Sequence, residues 1–340
     1  MSFHRHIKHI AAMSCIAASV GFSALANADT WRYAHEEYEG DVQDVYAHKF
    51  KDYIEEHSDH TLKIYRFGEL GESDDIMEQT QAGILQFVNQ SPGFTGSLIP
   101  EAQIFFIPYL MPTDMKSVIS FFKTSKAVNE NFPALYEEQG LELLKMYPEG
   151  EMVMTVDEPI TTPEELKGKK IRVMTNPLLS STYEAFGATP TPLPWGEVYG
   201  ALQTNMIQGQ ENPIFWIESG GLYEVSPNLI FTRHGWFTTA SMANKKFFDK
   251  LSKDDQAMVR QASEYAFQET MKHITGLAEK SLEKIEAASD DVTVTRLTQA
   301  QIDKFKARAP QVEKTFIEMT GKDGQALLDQ FKADLKSAQQ

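Results

Sequence analysis

Arg172 interrupts an apolar run, Ile171-Arg172-Val173-Met174, inside the stretch Lys169 to Asn176. Its neighbours mark a strand that belongs to a core, and a guanidinium is almost never fully buried unless something pairs with it. No acidic residue lies within four positions of it. A remote Asp or Glu would satisfy it, and so would a strand-edge position. A third solution is a ligand carboxylate gripped by the planar guanidinium fork.

Aromatic residues favour the third solution. Phe94, Trp195, Phe215, Trp216, Trp236 and Phe237 read as turn or strand-end residues rather than members of helical stripes. Each alone is better explained by core packing than by ligand contact. Three of the four Trp residues, however, lie in the Arg172-bearing half, beside Pro and Gly that stiffen loops. That pattern predicts an aromatic-walled cavity. Asn212 precedes a proline and is biased toward extended backbone; a turn amide and a ligand contact fit it equally. Signs of catalysis are weak. Ile217-Glu218-Ser219-Gly220-Gly221 lacks the first Gly of a nucleophile elbow. His57 and His60 sit in a polar link, and His35, His48, His234 and His273 show no metal-site spacing.

The elements that position these residues alternate strand with helix. Trp31 to His35 reads as a strand, Asp41 to Glu56 as an amphipathic helix, and Thr61 to Phe67 as a second strand. A helix starts at Ser73, and Ile84 to Asn89 is a third strand followed by the turn Ser91-Pro92-Gly93-Phe94. This order predicts an α/β fold with a largely parallel sheet, where ligands sit at the carboxyl ends of strands. Glu37 and Phe94 both fall just past such an end. Further on, Trp195 to Asn205 reads as a helix and Gly209 to Trp216 as strand plus loop. From Ser252 to about Ala288, Val259, Ala262, Ala266, Met271, Ile274, Ala278, Leu282 and Ile285 hold one unbroken stripe. It predicts a helix of roughly 50 Å, long enough to serve two domains as a shared strut. A last strand, Asp291 to Leu297, and two helices complete the chain.

The first 28 residues read as a secretory signal peptide. Arg5 and Lys8 precede an apolar run, and Ala26-Asn27-Ala28 offers the cleavage site. Cys15, the sole cysteine, lies inside it, so the segment from Asp29 onward has no thiol for disulfides, metal or nucleophilic attack. That segment carries 30 basic against 48 acidic side chains over 312 residues. Such a balance argues against nucleic acid as a partner. No later apolar run approaches the roughly 20 residues of a spanning helix.

Leu166-Lys167-Gly168-Lys169-Lys170-Ile171-Arg172 resembles an element of the solute receptors of tripartite ATP-independent periplasmic (TRAP) transporters. Ile107-Pro108-Tyr109-Leu110, Gly187-Ala188-Thr189-Pro190, Glu197 to Gln203 and Gly209-Gln210-Glu211-Asn212-Pro213 are similar to that family as well. One departure is Gln208, where the family often has Asp. The resemblance implies a two-lobed periplasmic binding protein fold (type II-like), with lobes joined by crossing strands and a long shared helix. The lobes are expected at 29–149 with 238–277, and at 150–237 with 278–340. It also implies that Arg172 binds a solute carboxylate, with Asn212 assisting.

Within the family, His35 to Val45, Asn89 to Gly96, Pro194 to Glu197 and Asn212 to Glu218 are most similar to receptors for ectoine and hydroxyectoine. These zwitterions pair a carboxylate with a delocalised amidinium ring. The expected site is therefore Glu37, Phe94, Arg172, Asn176, Trp195, Asn212, Phe215, Trp216 and Phe237, with no cofactor and no metal. The expected partners are the solute and TRAP membrane subunits. Receptors for dicarboxylates, keto acids or sialic acid are the alternative within the family, and a periplasmic enzyme the alternative outside it.

Overall fold

The structure is a computed structural model that describes residues 30–339. The expected export segment, including Cys15 and the cleavage site, lies outside the described residues. Ten strands form one twisted sheet system: β1 Thr30–Ala34, β2 Thr61–Tyr65, β3 Phe87–Gln90, β4 Leu141–Val156, β5 Lys170–Val173, β6 Thr189–Pro192, β7 Gly209–Pro213, β8 Asn228–Phe231, β9 Trp236–Asn244 and β10 Thr293–Arg296. β1 lies between β2 and β3, all parallel, and β5 lies between β6 and β7, also parallel. Helices supply the crossovers that parallel pairing needs. Val42–His57 leads from β1 to β2, and Ser73–Gln81 from β2 to β3.

Two antiparallel strands join these halves. β4 pairs with β9 from Leu141 to Glu151, then with β7 and β8 from Met152 to Val156. β9 reaches across to pair with β3. The two-lobed α/β architecture with crossing strands is as expected. The sixteen residues of β4 escape a period-based reading, because Pro148 and Gly150 interrupt them and their pairing changes partner midway.

The predicted unbroken helix is two. Lys253–Ile274 ends at Thr275, Gly276 takes a left-handed φ of 76°, and Leu277–Ala288 follows. A left-handed residue cannot continue a right-handed helix, and glycine adopts it without Cβ strain. The apolar stripe hides the break because Ile274 and Ala278 remain four residues apart. The segment still serves both halves. Its first part packs on Val42–His57, where the Tyr46 hydroxyl lies 2.7 Å from Ser263 Oγ, and its second packs on Ile214–Ser219.

The aromatic residues also need correction. Phe94 lies in the short helix Pro92–Thr95, Trp195 in a 3₁₀ turn (Trp195–Glu197) ahead of the helix Val198–Gln203, and Phe215 with Trp216 in the helix Ile214–Ser219. Trp236 and Phe237 open β9. Pro92–Thr95 and Ile214–Ser219, of four and six residues, are too short to show a 3.6-residue period and read as loops, whereas Trp195 stands at the start of the helical stretch expected from Trp195 to Asn205.

Candidate functional site

The parallel strands carry the candidate residues to one region from both halves. Arg172 sits within β5, buried at 2% exposure. Its Nε and Nη2 both donate to the carbonyl oxygen of Leu193, at 3.0 and 2.8 Å. No acidic side chain lies within ion-pair distance among the described residues. Burial pulls the guanidinium down to about 10, against longer-range support from Glu211, Glu72 and Glu36. It remains a cation at neutral pH. A guanidinium has five N–H donors. With one side edge held by Leu193, the Nη1–Nη2 end of the fork is the edge that can take a carboxylate. The Trp195 ring centroid lies 5.8 Å from the guanidinium carbon.

Asn212 follows on β7, buried, with Nδ2 donating to Gln210 Oε1 at 2.5 Å. Asn176 caps the helix Pro177–Ala185. Its Oδ1 accepts from the Leu179 amide at 2.9 Å, and its Nδ2 donates to the Pro92 carbonyl at 3.3 Å. Both ends of the Asn176 side chain are thereby engaged in holding two segments together. Gln208 accepts from the Lys170 amide and donates to Asn205, so the departure from the family pattern concerns local packing.

Three rings form a continuous wall. Trp195 and Trp216 lie 4.6 Å apart at 44°, and Trp216 meets Phe237 edge-on at 5.4 Å. Such tilted and edge-on contacts suit the ring quadrupoles. Phe94 is buried in its short helix but stacks on none of these rings. Phe215 instead lines a cavity of about 360 Å³ between β4 and the Gly276 break, which Trp236 also lines.

The opposite pole is acidic. Glu37 is fully buried three residues past β1, with Oε2 accepting from the Gln43 amide at 2.6 Å and Oε1 without a partner. Beside it stands Glu149, from β4, whose Oε1 accepts from the Thr239 hydroxyl and whose Oε2 has no partner. Burial and the Glu149 carboxyl hold Glu37 well above the usual carboxylate range, and burial raises Glu149 too. Burial also lifts Asp41 to about 7 and Glu36 to about 8. Glu36 accepts from the Ser91 amide at 2.9 Å, which ties the β1 and β3 loop ends together.

Contacts close the rim between the β1–β3 side and the β5–β7 side. Trp195 Nε1 donates to the Tyr38 hydroxyl at 3.1 Å, and the Ser219 hydroxyl donates to Asp41 Oδ2 at 2.9 Å. Gly196 approaches Glu72 so closely that a Cβ there would come within 2.6 Å of Oε1.

A family model described as bacterial extracellular solute-binding protein, family 7, matches residues 33–319. The chain belongs to that family. It is 73% identical over 323 residues, 95% of each chain, to the ectoine-binding periplasmic protein TeaA of Halomonas elongata. It is 57% identical over 321 residues, 94% of this chain and 95% of the relative, to the ectoine/5-hydroxyectoine-binding periplasmic protein UehA of Ruegeria pomeroyi. A high-resolution structure of the ectoine-binding protein from the TeaABC TRAP transporter of H. elongata aligns with a TM-score of 0.90 at 75% identity, covering 91% of this chain and all of that one. The same relative in its apo state aligns at 0.80 over the same shares, at 74% identity. The shape of this solute-binding protein is nearer the former.

Several residues around the site escaped the sequence reading. Glu149 lies in Tyr147-Pro148-Glu149-Gly150, where Pro and Gly mask the strand, Gln43 lies within the quoted His35 to Val45 segment without being singled out, and Thr239 lies in no quoted segment. A buried triad behind Arg172 was also silent. Glu211 Oε2 accepts from the Tyr183 hydroxyl at 2.7 Å and lies 2.6 Å from His234 Nε2. His234 Nδ1 bonds in turn to the Thr232 hydroxyl. Only Glu211 lay within a quoted motif.

Proposed function

We propose that this protein is a periplasmic receptor of a TRAP transporter that closes over ectoine or hydroxyectoine and passes it to the membrane subunits, which take it up on an ion gradient. The observation that carries the reading is the pair of buried, uncompensated poles. A buried guanidinium with no anion within ion-pair distance stands in one half, and buried carboxyls with no cation within ion-pair distance stand in the other, among the described residues. Leaving a buried charge unpaired is costly, and a solute of opposite charge at each end relieves both poles at once. The aromatic wall of Trp195, Trp216 and Phe237 suits the flat face of a delocalised cation. The names of the two relatives support the same solute class.

In this reading Arg172 takes the carboxylate with Asn212 beside it, Glu37 takes the amidinium, and Phe94 and the Trp195 ring cover the solute. Asn176 acts by positioning the segments on which Phe94 and Arg172 stand. We place the lobe divisions at 149/150, 237/238 and 277/278, within two residues of where β4 changes partner after Glu151, β9 begins at Trp236 and Gly276 breaks the helix. A dicarboxylate would leave Glu37 and Glu149 without a counter-charge. Calorimetric titration with ectoine, hydroxyectoine and succinate tests the reading. Tight binding of either ectoine with weak or no binding of succinate is the expected result. Succinate bound more tightly than both would overturn it.

A further inference from the structure

We propose that Glu149 is the second carboxyl of the cation pole, and that the Glu37–Glu149 pair gives up a shared proton when the solute's cation enters. The proposal rests on the zwitterion reading of the site and deepens it. Glu149 sits where the register of β4 against β9 slips. Pro148 pairs with Thr238 and Gly150 with Phe237, which leaves Glu149 as a bulge residue. A bulge re-aims a side chain, and here it turns a carboxyl of 2% exposure toward fully buried Glu37.

Both carboxyls are held by neutral donors, the Gln43 backbone amide for Glu37, and the Thr239 hydroxyl with the Gln43 side chain for Glu149. Gln43 Nε2 in turn donates to Thr239 Oγ1 at 3.1 Å, so the donors form one scaffold beneath the pair. Each carboxyl also keeps one buried oxygen without a partner, Glu37 Oε1 and Glu149 Oε2. The other titratable groups facing the pair are acidic or phenolic: Asp41 from the turn before Val42–His57, and Tyr147 from β4. Glu36 lies beside them, and Glu218 from Ile214–Ser219 faces Asp41. No cation stands within ion-pair distance of either carboxyl among the described residues.

Two adjacent buried carboxyls cannot both ionise without a counter-charge. They act as one titrating unit. In the ligand-free cleft the unit therefore holds one proton and one negative charge. When the amidinium enters, the carboxylic O–H proton leaves to bulk water and both carboxyls ionise. Two negative charges and the solute's one positive charge again leave one negative charge. No bond of the solute is made or broken. Glu149 also lines the 360 Å³ cavity with Glu151, Phe215 and Gly276.

The test is calorimetry of ectoine binding at pH 7 in buffers of contrasting ionisation enthalpy, together with the pH dependence of Kd. The expected result is release of up to about one proton per ectoine, and a Kd that rises toward about tenfold per unit as pH falls below the pair's range. Glu149→Gln should weaken ectoine binding and cut the proton release, which a merely structural role would leave unchanged. Ectoine binding with no proton exchange, or with the same release in Glu149→Gln, overturns the proposal. A ligand-free measurement separates this from failure of the solute assignment. The infrared carbonyl band of protonated carboxyls at pH 7 should weaken in both Glu37→Gln and Glu149→Gln. A band unchanged in both overturns the shared proton even if ectoine proves not to bind.

Discussion

Arg172→Lys keeps a cation in place and removes the fork, so it isolates what the guanidinium geometry contributes. In the parent, the Nε and Nη2 bonds to Leu193 fix the side chain and leave the Nη1–Nη2 end for the solute. Lysine offers one ammonium, which cannot hold the Leu193 carbonyl and both carboxylate oxygens in those directions. Loss of one hydrogen bond to a charged group costs about 1.5–3 kcal/mol. That corresponds to a Kd weaker by about 10- to 150-fold. Arg172→Ala removes the charge as well and belongs in the range of about 2–5 kcal/mol for truncating a buried charge pair. The assay is isothermal titration calorimetry with ectoine, after circular dichroism has shown each variant folded. The reasoning fails if Arg172→Lys binds within threefold of the parent, or if it binds more weakly than Arg172→Ala.

Glu37→Gln keeps size and an acceptor for the Gln43 amide but removes the charge. Ectoine should lose on the order of 1.5–3 kcal/mol of binding, while succinate, which brings no cation and meets the same single negative charge now held on Glu149, should change little. Saturating ectoine should raise the melting temperature through binding to the native state alone and shrink the radius of gyration in X-ray scattering, as Tyr38–Trp195 and Asp41–Ser219 engage. An unchanged scattering curve would contradict closure. Glu36 is raised to about 8 in the folded protein. Its stabilising contribution is thus fully present below the unfolded-state pKa near 4.5 and lost as pH rises through about 8. His35, lowered by burial, works in the opposite direction as pH falls below its ordinary value of 6.5. Glu36→Gln should therefore make the ligand-free melting temperature fall less, or rise more, between pH 5 and 8 than in the parent.

Arg172 was legible in the sequence because a charge in an apolar strand is an anomaly that local pattern exposes. Glu37 was not legible by that route. It follows a strand with two other acidic neighbours, Glu36 and Glu39, and only the family resemblance separated it from them. Glu149 was hidden for a physical reason. Pro148 and Gly150 carry turn chemistry, yet long-range pairing with β9 and β7 makes the segment one bulged strand. The same override explains the helix break, since a core-facing stripe persists through Gly276 while the backbone does not. Phe215 shows a further limit. Its type suggested the solute wall, and its short helix brings it to the cavity behind β4.

In the proposed function two opposite poles on separate halves read the two ends of one zwitterion. A crystal structure of the protein with ectoine decides whether they do. The solute carboxylate is expected on the Nη1–Nη2 edge of Arg172, with the amidinium nitrogens at the Glu37 and Glu149 oxygens that lack partners. A carboxylate bound elsewhere, or an amidinium pointing away from Glu37, would contradict it.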